Sequence, residues 1–117
     1  MVGTDGDIQI GGFVIQGDSP KKVILRASGP ALSTLGVTGV LADPVLTLYS
    51  GQTVIMQNDD WSSALATDFA AVGAFPWTAG SKDAALGVTL QPGMYSVHVS
   101  GKNGASGVAL IEVYEQN

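Results

Sequence analysis

The chain has 117 residues, ten acidic against five basic side chains for a net charge of −5, and no cysteine. That length suits one domain and is awkward for two, and 13% charged residues with a positive mean hydropathy exclude a disordered chain. Five basic residues cannot coat a phosphate backbone, and without cysteine there are no disulfides, thiolate zinc sites or cysteine nucleophiles.

In chain order, Ile8–Ile15 alternates two largely apolar sets and predicts a first strand covered on both faces. Gly17-Asp18-Ser19-Pro20 is loop chemistry, and Val23–Ser28 follows as a second strand. Gly29-Pro30 interrupts the pattern. Residues 30–44, with Gly36, Gly39 and Pro44, read as a long ordered loop with one helical turn near Leu32–Leu35. Val45–Ser50 and Thr53–Asn58 are separated by Gly51-Gln52, the signature of a tight hairpin. After Trp61 the period changes. Leu65, Phe69 and Val72 fall on one helical stripe, with Asp59, Asp60 and Ser62 as candidate N-caps and Gly73 as the C-terminal stop. One short helix over 62–72 is expected.

Ala84–Leu90 and Met94–Ser100 flank Gln91-Pro92-Gly93, which fits a type II turn. Tyr95, Val97 and Val99 point to one side, and Ser96, His98 and Ser100 to the other. Asn103-Gly104 then supplies the strongest hairpin signal in the chain. The last strand covers Ser106–Glu115. The sum is an all-β fold: a single antiparallel sandwich over 1–117, jelly-roll-like, with about seven to eight short strands and one helix.

Several stretches carry a resemblance: Ile10-Gly11-Gly12-Phe13-Val14-Ile15, Pro20 through Pro30, Leu41-Ala42-Asp43-Pro44 and Asn58-Asp59-Asp60-Trp61. In the second half they are Gly80 through Ala85, Gln91-Pro92-Gly93-Met94-Tyr95 and Val108–Tyr114. Together they resemble a β-sandwich module found near the C-terminus of large secreted proteins of environmental bacteria, and more distantly pre-peptidase C-terminal domains. The resemblance implies an accessory module, secreted or held at the cell surface. Such modules often carry an extra strand ahead of the segment matching Val2-Gly3-Thr4, so that first strand is expected either to be missing or to be supplied by a neighbour. The first residues have neither the basic region nor the apolar core of a signal peptide.

Four groups of residues are candidates for a role. Asn58, Asp59 and Asp60 form the densest oxygen cluster, able to supply part of a Ca²⁺ shell or simply to cap the following helix. Trp61 and Trp77 stand beside irregular chain, where they could stack on a sugar or plug an end of the sandwich. Arg26 lies on a strand whose neighbours look buried, so it needs a carboxylate, with Asp43 or Asp83 the expected partner. Ile8, Ile10, Phe13 and Ile15 make the first strand the expected assembly element.

Catalysis has little to work with. The one histidine, His98, is expected on a solvated strand face, with Ser96 and Ser100 too far along the strand to bond to it. No apolar run approaches the about 20 residues of a membrane span, so membrane insertion is not expected, and five basic against ten acidic side chains make nucleic acid an unexpected partner. The primary expectation is a non-catalytic structural module acting in surface attachment or self-assembly through strand edges, with copies of itself or neighbouring domains as partners and no cofactor. The alternative is a carbohydrate-binding module, with or without calcium, whose partner is a glycan.

Overall fold

The period-two alternation of the second strand explains the architecture. Val23, Leu25 and Ala27 turn one way and Ile24, Arg26 and Ser28 the other, and all six are buried. A strand buried on both faces needs a layer on each side. The computed structural model, which describes residues 9–116, supplies both.

Among the described residues, seven strands form two antiparallel sheets: β1 (Gln9–Ile15), β2 (Lys21–Ser28), β3 (Pro44–Ser50), β4 (Thr53–Asn58), β5 (Ala84–Leu90), β6 (Gly93–Gly101) and β7 (Leu110–Gln116). The larger sheet runs β1-β6-β3-β4 and the smaller β5-β2-β7. Val23, Leu25 and Ala27 meet Leu46, Leu48, Val97 and Val99 in the core between the sheets. Phe13 stacks on Tyr95 at 5.6 Å along the same core. The all-β sandwich expected from the alternation is therefore the fold.

The connections differ from expectation in an instructive way. Of the chain-adjacent strand pairs, only β3 and β4 bond to each other. Gln91-Pro92 and Asn103-Gly104 each carry the chain from one sheet to the other. Asn103 and Gly104 do adopt the left-handed conformation their types favour (φ 56° and 77°), but the turn they make is a crossover, not a hairpin. Local turn chemistry sets the bend; the pairing is decided by which apolar faces must meet.

The helix near 62–72 is present as a 3-10 turn over Ser63–Leu65 running into α2 (Ala66–Ala71). Ser62 caps it, its side chain accepting from the Ala64 amide at 3.3 Å. Gly73 stops it with φ 77°. A shorter helix, α1 (Pro30–Ser33), supplies the turn expected in the long loop, slightly earlier than Leu32–Leu35. Here Gly29 is required, because a Cβ at that position would collide with the Leu41 carbonyl.

Residues between β4 and β5 form the layer over the outer side of the smaller sheet. Trp61, Phe69, Ala74 and Trp77 pack on Ile24 and Ala85 as a second buried cluster. Leu65 leans over Gly87, where a Cβ would come within 3.0 Å of its Cδ2. A glycine inside β5 thus makes room for a side chain of the covering layer.

Candidate functional site

The two sheets end in very different outer faces. On the smaller sheet, Arg26 is wholly buried. Its guanidinium carbon sits 4.1 Å from the Trp77 ring centroid, 4.5 Å from Phe75 and 4.6 Å from Phe69. Nη1 donates to the Phe75 carbonyl at 2.8 Å. The charge partner is Glu112, its Oε1 3.3 Å from Arg26 Nε. Neither Asp43 nor Asp83 fills that role, which corrects the expectation. The reason is register: β7 lies beside β2 and places Glu112 directly opposite Arg26. Burial depresses the guanidinium pKa, and Glu112 opposes that fall. Glu112 also accepts from the Tyr114 hydroxyl, and burial together with that bond holds the phenol pKa above its ordinary value.

Asp83 has another task. It is fully buried, and its Oδ1 accepts from the amides of Gly29 at 2.7 Å and Ala31 at 3.0 Å. Its Oδ2 accepts from Ser81 at 2.6 Å, whose oxygen accepts from the Trp61 indole at 3.1 Å. The carboxylate thus ties α1, the covering layer and the start of β5 together. Asp43 lies 3.9 Å from exposed Lys82.

Trp61 and Trp77 do not close the ends of the sandwich. They are 7% and 8% exposed and pack edge to face, centroids 5.4 Å apart, with Phe69 stacked on Trp61 at 5.1 Å. With so little of either ring exposed, little ring surface is left for a sugar to stack on in this arrangement. The cleft beside them, about 220 Å³, is lined by Ala66, Ala70, Ala74 and Pro76 with the aromatic rings, whereas a sugar site needs several placed polar groups.

The Asn58 and Asp59 side chains take separate partners. Asn58 accepts from the Ala85 amide at 3.1 Å and donates to the Asp60 carbonyl at 3.0 Å. Asp59 pairs with Lys102 at 2.8 Å, and that hydrogen bond holds its pKa below the usual carboxylate range. Among the described residues, no three acidic or histidine side chains converge as a metal cluster.

Among the described residues, none forms such a cover over the outer face of the larger sheet. Ile10, Gly12 and Val14 on β1 lie opposite His98, Ser96 and Met94 on β6. On the other side of β6, Thr47 and Tyr49 of β3 face His98 and Ser96. Ile10 is 61% exposed, Val14 51% and Met94 77%. This corrects the expectation that β1 is covered on both faces: Gln9, Gly11, Phe13 and Ile15 turn inward, while Ile10, Gly12 and Val14 are exposed. Of the expected assembly residues, Ile10 is therefore on the open face, Phe13 and Ile15 are inside, and Ile8 lies outside the described residues.

None of β1, β3, β4 and β6 contains an aspartate, glutamate, lysine or arginine. The polar groups of the face engage one another. His98 packs on Tyr49 at 4.1 Å, Gln57 donates to Thr47 at 3.0 Å, and Ser96 Oγ lies 3.4 Å from His98 Nε2. The serine and histidine come closer than their strand spacing suggests, but no carboxylate on this sheet orients the ring. A shallow depression of about 190 Å³ lies between Gly51, Met94, Tyr95 and Ser96. Sequence reasoning missed Met94 and Tyr49. The signal was present in the alternation, which already put Ser96 and His98 outward and so Met94 with them.

Comparison with protein-family models, with curated proteins and with solved structures finds no match to this chain.

Proposed function

We propose that the chain is a non-catalytic structural module of a secreted or surface-held bacterial protein, acting by association of copies or neighbouring domains through its larger sheet. The observation that carries this reading is the open, charge-free outer face with Ile10, Val14 and Met94 exposed upon it. Contiguous apolar surface that the chain does not cover marks an interaction site. Charge placement supports the same reading. None of the four strands of the larger sheet carries an acidic or basic residue, so two copies meet through these strands without like charges opposing one another.

The test is light scattering behind size exclusion across a concentration series, on the native chain and on Val14→Lys. Association that grows with concentration and weakens in the variant is expected. A native chain that stays monomeric at the highest concentration contradicts the proposal.

A further inference from the structure

We infer that the contact is edge to edge: β1 of one copy pairs antiparallel with β1 of a second copy, about a two-fold axis at Gly12, joining two larger sheets into one. This rests on the association reading above and specifies its geometry.

Each sheet ends in two edges, and the edges are not equivalent. β7 carries Glu112 and Glu115, and like charges along an edge discourage self-pairing. β5 is buried along much of its length, with Leu65 resting on Gly87. The β3–β4 ladder shifts register at Leu48/Tyr49, an irregularity that twists an edge away from partners. β1 has none of these guards. Its ladder with β6 is regular over Gln9–Ile15. It contains no proline and no charge, and among the described residues no strand pairs with its other side.

The sequence of β1 suits pairing with itself. Its central residue is Gly12. An antiparallel pair centred there sets Gly12 against Gly12 and Ile10 against Val14 of the second copy, all on the open face. Opposed β-branched residues are favourable cross-strand neighbours. The two-fold makes the contact self-complementary and closed. It also leaves the apolar rows of both copies side by side on one continuous face.

Because the chain has no cysteine, single cysteines report the geometry cleanly. A Cβ at Gly12 meets nothing nearer than the Tyr95 carbonyl at 3.9 Å, so Gly12→Cys is sterically tolerated. Under mild oxidation Gly12→Cys is expected to give a band of twice the chain's mass, while Ser96→Cys, in the middle of the face, and Val54→Cys, on the opposite edge, stay single. An equimolar mixture of Ile10→Cys and Val14→Cys, both at exposed positions, is expected to cross-link where neither does alone, which guards against misfolding of the glycine variant. Cross-linking through Ser96→Cys or Val54→Cys in place of these overturns the edge geometry but keeps the association. A native chain that is monomeric by light scattering overturns the association itself.

Discussion

The outer faces of the two sheets begin from similar strands and meet opposite fates. Both sheets are antiparallel and built on alternating strands, but β2 and β7 of the smaller carry Lys21, Lys22, Arg26, Glu112 and Glu115, whereas the four strands of the larger carry no acidic or basic residue. The smaller one is covered by the chain's own residues between β4 and β5, which bring Trp61, Phe69 and Trp77 onto Ile24 and Ala85. The larger one is covered by none of the described residues, with Ile10, Val14 and Met94 exposed. A buried face tolerates a charge only when it is caged and paired, as Arg26 is by three rings and Glu112. The open face tolerates charge easily on physical grounds, yet its strands carry none. Absence of charge where water would accept it is the feature that points to a partner.

The contrast is most severely tested from the covered side. Trp77→Ala removes the ring closest to Arg26 and is expected to destabilise the fold by about 3–5 kcal/mol, read by chemical denaturation. A loss below about 1 kcal/mol, within the range of ordinary surface changes, means the cover is not integral to the fold. Asp83→Asn keeps an acceptor for Gly29 and Ala31 but loses the charge that strengthens those bonds. About 1–2 kcal/mol is expected, and an unchanged midpoint contradicts the role given to Asp83.

A smaller effect is confined to alkaline solution. The Tyr114 phenol has a raised pKa in the folded chain, from burial first and the bond to Glu112 second. Its contribution to stability is complete below the unfolded value and is lost as pH rises through the folded one. Denaturation midpoints should therefore fall as pH climbs past the ordinary phenol range, and Tyr114→Phe should remove that part of the decline. The smallest expected change in stability comes from the open face. Val14→Lys should shift unfolding by no more than about 0.5 kcal/mol while abolishing association. Loss of both together would mean Val14 supports the fold and not a contact.

Much of this was legible in the sequence. The alternation of Val23–Ser28 and of Tyr95–Ser100 gave faces as well as strands, and Ser62 and Gly73 bounded the helix. What stayed hidden depends on long-range placement. The partner of Arg26 is Glu112 because β7 lies beside β2, and no local spacing encodes that neighbour. Asp43 and Asp83 were nearer in sequence, but Asp83 is taken up by the amides of Gly29 and Ala31. Asn103-Gly104 read as a hairpin because its conformational preference is local, whereas the strands it joins belong to different sheets. β1 looked covered on both sides because apolar residues alternate with apolar residues. Composition alone cannot distinguish a face covered by its own chain from one kept for another.

Amide hydrogen exchange on β1 at low and high protein concentration tests the open edge most directly. Amides of β1 that point away from β6 should gain protection as concentration rises, while those of β5 and of the covering layer stay unchanged. Exchange along β1 that is independent of concentration would contradict association through this edge.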